Sequence, residues 1–332
     1  MWRANQLGHA SFARTVALKQ MHPYLAEEPL YIHMFEEEAR IGSELHDGNI
    51  AQVYDFVEER GDYFIALEWV EGIDLGSFVN YFVERKLRPR WDLVVAIGIG
   101  VLRALAAAHE RVDLEGSPCP IVHRDVSPHN VLLSIRGKVK LIDFGLSLAT
   151  DRTLERTEPG IVKGKLSYLS PEVVAGERPA PYSDQFSTGA MLWEALVGRK
   201  LFDGKTDYDT YAKVRDGQVI PLRPLRPDVP RELVAIVTRS LGQQPASRYE
   251  SVRDMARELG TVLKGVKERT DLHQALGRTV LEARTTMNLG RRTSDQASIT
   301  PVFEPAGNLA EAPESRRRRG LWHRLPLLGS RG

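Results

Sequence analysis

The chain has 332 residues, 42% hydrophobic and 27% charged, the composition of a globular protein with a core rather than of a disordered or fibrous chain. Lys and Arg number 45 against 44 Asp and Glu, so no overall field draws it to nucleic acid. The single cysteine, Cys119, excludes an intrachain disulfide framework and fits a reducing cytoplasm, and there is no run of about 18 apolar residues to cross a bilayer.

In chain order, residues 15–19 (TVALK) predict a short strand. Residues 35–45 predict a helix whose inward stripe joins Met34, Ile41 and Leu45 with an acid, Glu38, which needs a partner if it faces the core. Residues 53–57 and 63–70 predict two strands around a Glu-Arg-Gly-Asp turn, and residues 71–74 read as a connector. Residues 92–110 carry Val94, Ile97, Val101, Leu105 and Ala108 on one helical stripe. Two short strands, 131–133 and 139–142, flank an Arg-Gly turn, and a loop-rich stretch with Thr150, Thr153 and Thr157 follows. Helical patterns then occupy about 183–198, 207–216, 230–242 and 251–264, with prolines between them. A helical extension is expected over 265–288. The Thr, Ser, Pro, Ala and Glu composition of 289–332, with Arg316–Arg319, predicts a disordered tail.

The strongest chemical signal is His123-Arg124-Asp125-Val126-Ser127-Pro128-His129-Asn130, which fits H-R-D-L-x-x-x-N with one exchange, Val for Leu. A carboxylate such as Asp125 can take the proton of an acceptor hydroxyl, and Asn130 offers a neutral oxygen to a metal. Asp143-Phe144-Gly145 follows 18 residues after Asp125, at the end of an apolar strand, where a carboxylate can bind Mg²⁺. Val16-Ala17-Leu18-Lys19 matches V-A-I-K with one exchange, and pairing Lys19 with Glu38 explains two inward charges at once. The plain alternative for Lys19 is a surface lysine. His9, His22, His33 and His46 lack metal-ligand spacing and are read as structural.

With Ser170-Pro171-Glu172 standing where A-P-E is expected, the sequence resembles the Hanks-type protein kinases of the bacterial Ser/Thr branch over residues 1–264. The resemblance implies an α+β, bilobal fold, with a sheet-plus-helix N-lobe over 1–70 and a larger helical C-lobe over 71–264. It implies ATP and Mg²⁺ as cofactors, with Asn130 and Asp143 on the metal. It also implies a protein substrate bearing Ser or Thr, and autophosphorylation within 150–157 read through Arg124. Leu67, Glu68 and Val70 would form the hinge that meets adenine, Ala17 and Leu132 would sandwich its ring, and Asp74 would meet the ribose. Asp184 would brace the His-Arg-Asp backbone, and Arg248 would pair with Glu172.

Two departures qualify this. The glycine-rich loop should precede VALK by about 20 residues, yet Gly8 is the one glycine before Lys19. Met1-Trp2-Arg3-Ala4 matches the run that ends the loop, with Met1 in place of valine. The reading frame is therefore expected to extend upstream; without that extension, the lobe lacks its first strand and exposes a sheet edge. The second departure is Ser127, where many Ser/Thr kinases carry lysine; Lys165 is expected to restore the charge from across the cleft. The rival readings are a scaffold pseudokinase, favoured by the missing loop, and a small-molecule phosphotransferase, disfavoured by the Ser-Pro-Glu segment. The basic tail with its apolar end (GLWHRLPLLGSRG) would give weak contact with an anionic membrane surface.

Overall fold

The computed structural model describes residues 1–7, 13–113, 115–144, 166–265, 271–295 and 321–324. The N-lobe comprises β1 (Trp2–Leu7), β2 (Ala13–Gln20), α1 (Pro29–Glu44), β3 (Val53–Glu59) and β4 (Asp62–Glu68). Its strands pair antiparallel. The β3–β4 turn places Arg60 and Gly61 at φ 56° and 82°, the left-handed pair that a two-residue hairpin of right-handed twist requires. Side chains alternate across the sheet. Val16 and Leu18 pack with Ala4, Phe64 and Ala66 on one face, while Ala17, Ile65 and Leu67 pack with Phe35 and Ala39 of α1 on the other. A Cβ on Gly42 would come within 2.4 Å of Val53, so glycine there lets α1 approach β3.

The C-lobe begins with β5 (Gly72–Asp74), α2 (Leu75–Glu84) and α3 (Trp91–His109), followed by β6 (Val131–Ser134) and β7 (Val139–Leu141). Then come α4 (Pro171–Val174), α5 (Pro181–Val197), α6 (Asp207–Arg215), α7 (Arg231–Ser240) and α8 (Val252–Lys264). Helix α3 is long and apolar enough to cross a membrane, which the sequence reading had not anticipated. Yet 72% of its most apolar window is buried, and it packs on α5 and α8 as the core helix of the lobe. Capping fixes several helix starts: Asp74 accepts from Ser77 N–H at 2.9 Å, Thr206 from Asp209 N–H at 3.1 Å and Ser251 from Asp254 N–H at 3.1 Å.

Three segments differ from expectation. Residues 72–74 form a strand rather than a connector, with Ile73 opposite Leu133; three residues are too few to show alternation. Helix α9 (Leu272–Asp295) starts later than 265 and runs past 289. Its buried Ala275, Leu276, Val280 and Ala283 pack against α2, α3, β5 and β6. His273 contacts Gly137 O at 3.1 Å, and Arg284 pairs with Glu71 at 3.0 Å, just past the segment linking the lobes. Finally, β8 (Leu321–Arg324) lies within the stretch expected to be disordered and pairs antiparallel with β1, giving a five-stranded sheet in the order β3-β4-β2-β1-β8. In this structure the outer edge of β1, which would be exposed if no upstream strand were supplied, is paired with β8. Composition reports how little a segment can bury by itself; it does not report a backbone ladder formed with a distant edge.

A buried ion pair ties α4 to the segment before α8. Arg248, 3% exposed, makes a two-pronged contact with Glu172 at 2.7 and 2.8 Å, and Ser183 Oγ donates to the same carboxylate at 2.9 Å. The pair anticipated from sequence is thus present. Removing one partner strands a buried charge. Glu172→Ala is expected to lower unfolding stability by about 3–5 kcal/mol in denaturant titration, with the Glu172→Leu/Arg248→Met double variant recovering part of the loss.

Candidate active site

The cleft between the lobes is built from strand ends and tight turns. Lys19, near the end of β2, reaches Glu38 Oε1 of α1 at 2.5 Å and Asp143 Oδ1 at 2.9 Å. Burial opposes the Lys19 charge, but the carboxylates of Asp143 and Glu38 outweigh it and hold the ammonium well above the ordinary lysine range. Burial pushes Glu38 up, assisted by the Asp143 charge and only partly offset by Lys19. One cation between two acids leaves surplus negative charge.

The loop carrying Asp125 is held by Asp184 at the start of α5. This fully buried carboxylate accepts from the backbone N–H groups of His123 and Arg124, both at 2.9 Å, and contacts His109 Nε2 at 2.7 Å. It thus does the bracing that the sequence suggested. Arg124 and Asp143 have φ of 66° and 63°, left-handed values that cost a non-glycine residue about 1–3 kcal/mol each and so need external support. Asp184 supplies it to the first and Lys19 to the second. Asp125 N–H donates to His123 Nδ1 at 3.2 Å, so His123 is neutral at that nitrogen and directs its Nε2–H at Ile142 O, 2.9 Å away. The Phe144 ring meets His123 edge-on at 4.6 Å, joining the two motif loops.

Asn130 donates through Nδ2 to Asp125 O at 2.8 Å and Oδ2 at 3.1 Å, which leaves its Oδ1 directed elsewhere. Ala17 sits opposite Leu67 across the β2–β4 ladder, and Leu132 opposite Asp74 across β5–β6. Val70 is half-buried beyond β4. Glu68 is engaged by Lys140, whose ammonium lies 2.7 Å from its carboxylate and 3.0 Å from Ile50 O. Sequence reasoning missed Lys140, since an alternating VKLI strand suggests an exposed lysine. It also missed His109 and the interaction of His129 with Asp74, for which spacing carries no signal. Gly145, Lys165 and the threonines at 150, 153 and 157 lie outside the described residues. A separate groove of about 820 Å³, lined by Trp91, Ile236, Tyr249 and Val262 among α3, α7 and α8, includes none of the cleft residues.

Residues 4–259 match the family model described as the protein kinase domain. The chain belongs to the protein kinase domain family. The kinase domain is 35% identical over 260 residues to the tyrosine-protein kinase MasK of Myxococcus xanthus, covering 78% of this chain and 40% of that one. It is 32% identical over 248 residues to the serine/threonine-protein kinase PrkC of Bacillus subtilis, covering 75% and 36%. The chain therefore spans less than half the length of these curated relatives. Its fold matches the crystal structure of the Mycobacterium tuberculosis PknI kinase domain with a TM-score of 0.56 and 26% identity, covering 78% of this chain and 90% of that one. The resemblance read from the motifs, and the bilobal α+β fold it implied, are thus borne out.

Asp74 caps α2, receives Ser77 Oγ–H at 2.6 Å and lies 3.4 Å from His129 Nδ1. Burial pushes the Asp74 carboxyl up, but the hydrogen bonds from His129 and Ser77 outweigh it and hold the group low. The bond to Asp74 in turn holds the His129 imidazole above its ordinary range. A histidine raised on folding contributes stability that is fully present below its unfolded value and lost as pH rises through the folded value. The effect on stability is small because His129 is exposed. By NMR, His129 is expected to titrate above about 6.5, and Asp74→Asn to return it toward that value. An unchanged titration in the variant would contradict the pairing.

Proposed function

We propose that this kinase domain transfers the γ-phosphoryl group of ATP to serine or threonine hydroxyls of protein substrates. The observation that carries the reading is the three-way contact of Lys19 with Glu38 and Asp143, formed beside an Asp125 loop braced from beneath. Lys19 is the group that would hold the α- and β-phosphates, positioned by Glu38. Asp125 would accept the proton of the acceptor hydroxyl as its oxygen forms the new bond to phosphorus and the bond to the bridging oxygen breaks. The Asn130 Nδ2 contact orients that carboxylate. Leu67, Glu68 and Val70 would meet adenine, with Ala17 and Leu132 against its faces and Asp74 near the ribose.

The donor set fits Mg²⁺. Asp143 and Asn130 Oδ1 supply hard oxygens, and the surplus negative charge of the cleft favours a divalent cation. Among the described residues no three His, Cys, Asp or Glu side chains converge on one point. Mg²⁺ takes one or two protein oxygens and the substrate phosphates. Bound there, it would supply charge neutralisation. The work left to this chain is positioning and proton acceptance.

One relative is named a tyrosine kinase and others serine/threonine kinases, so the acceptor is the point to measure. Phosphoamino-acid analysis of the labelled product is expected to show phosphoserine or phosphothreonine; phosphotyrosine alone would overturn the assignment. Asp125→Asn is expected to reduce kcat by about 10²–10⁴ with nucleotide affinity little changed. Labelling at the intact rate with Asp125 replaced would overturn its assignment as the proton acceptor, and no labelling by the intact chain with Mg²⁺-ATP would favour the scaffold reading. Arg124 would read a phosphate on the 150–157 stretch, Thr157 foremost. Lys165→Ala is expected to cost more than about twofold in turnover if it supplies the charge that Ser127 cannot, as one charge-assisted contact should.

A further inference from the structure

Helix α9 lies beyond residues 4–259, the span that the family model matches, yet it is built into the C-lobe. Its Leu276, Val280 and Ala283 recur at helical spacing and are buried, and the helix packs on β5, β6, α2 and α3. Its first turns meet the β6–β7 turn backbone to backbone. A Cβ on Gly137, where φ is 75°, would overlap His273 O, and one on Gly277 would lie 2.6 Å from Ile135 O. Two glycines, one on each side, thus make the seat. About 16 Å further along the helix axis, Arg284 reaches Glu71 Oε1 at 3.0 Å. Glu71 follows Val70 directly, and its carbonyl accepts from Ile135 N–H at 2.9 Å. Ile135 therefore joins the two contacts, its N–H on the interlobe linker and its carbonyl against Gly277. The exit of the linker is held at two points, by the end of β6 through backbone and by α9 through a side chain. β5 continues from it to Asp74.

We propose that α9 is a brace for the nucleotide site: seated on the β6–β7 turn through Gly137 and Gly277 and tied to the linker by Arg284, it positions Glu68–Val70 and Asp74 for adenine and ribose. Arg284 is a positioning residue that acts through Glu71. The proposal rests on the nucleotide reading above. A loose linker has to be ordered when nucleotide binds, which costs backbone entropy. A linker already ordered by α9 spares that cost and raises affinity without a new contact to the ligand. The effect falls on nucleotide binding rather than on phosphoryl transfer, since the Lys19–Glu38–Asp143 contact is made without α9.

The test compares the full chain with Gly277→Ala, Arg284→Glu and the exchanged pair Glu71→Arg/Arg284→Glu. Alanine is the better helix former, so a loss in Gly277→Ala reports the seat and not the helix. Mg²⁺–ADP affinity by calorimetry, KM for ATP and kcat read the site; amide hydrogen exchange reads helix and linker. The intact chain is expected to protect the amides of Leu276–Ala283. Gly277→Ala should weaken Mg²⁺–ADP binding about tenfold, the entropy of about one linker residue. It should also raise KM, speed exchange over Trp69–Asp74 and lower kcat by no more than about twofold. Arg284→Glu should weaken binding about two- to fivefold, the range of a partly exposed ion pair, and the exchanged pair should recover most of the loss. Unchanged affinity in either single variant overturns the brace, as does a loss that falls on kcat with affinity kept, or one that the exchanged pair does not recover. Fast exchange of Leu276–Ala283 in the intact chain overturns it too. Should Gly277→Ala not fold, the Arg284 variants decide. An intact chain that binds no nucleotide overturns the kinase reading and the brace with it, whereas an intact chain that binds nucleotide no better than its variants overturns the brace alone.

Discussion

The Lys19 ammonium lies within hydrogen-bonding reach of two carboxylates from different parts of the fold, Glu38 on the N-lobe helix and Asp143 in the loop after β7. A lysine desolvated in this way is tolerable only while a carboxylate faces it. The contact therefore reports three placements at once: β2 in register with β4, α1 seated on the sheet, and the loop after β7 turned inward. Losing the placement of α1 or of the loop removes one of the ammonium's two partners, and losing that of β2 leaves two like charges without the cation between them. The geometry of the cleft is in this sense set by electrostatic necessity as much as by apolar packing.

The same logic appears on the other wall. The loops bearing Asp125 and Asp143 adopt left-handed backbone at non-glycine positions, which isolated peptides avoid. What fixes them is a set of directed bonds rather than area: Asp184 beneath the His123–Arg124 backbone, His123 to Ile142, and Phe144 against the imidazole. Directed contacts define positions to a fraction of an ångström, which an apolar surface alone does not. Groups that must meet a phosphate and a hydroxyl together need that definition.

Much of this was legible in the sequence because it lies in local spacing. Glu38 declared itself by sitting on an apolar stripe, and Lys19 by needing an acid. Asp125, Asn130 and Asp143 came from motif spacing, and the Glu172–Arg248 pair from the family pattern. Elements long enough to show their period, such as α3, were found to within a residue or two. What escaped was decided by tertiary partners. Lys140 reads as a surface residue until Glu68 and Ile50 close over it. Asp74 was assigned to a ligand but also caps a helix and faces His129. The three-residue β5 is defined only by its neighbour β6. The tail shows the limit most plainly, because the partner that orders β8 lies at the other end of the sequence.

That separation bears on how the lobe is made. Residues 8–320 must be synthesised between strand β1 and the β8 that pairs with it. At about 5–20 residues per second, β8 becomes available on the order of 15–60 s after β1, long after β2, α1 and β4 can assemble. An unpaired edge on a nascent chain invites pairing with a neighbour on the same polysome. The small lobe is thus begun early and completed late. Its yield in a cell should depend on the pace of synthesis and on chaperone capacity more than its final stability would suggest.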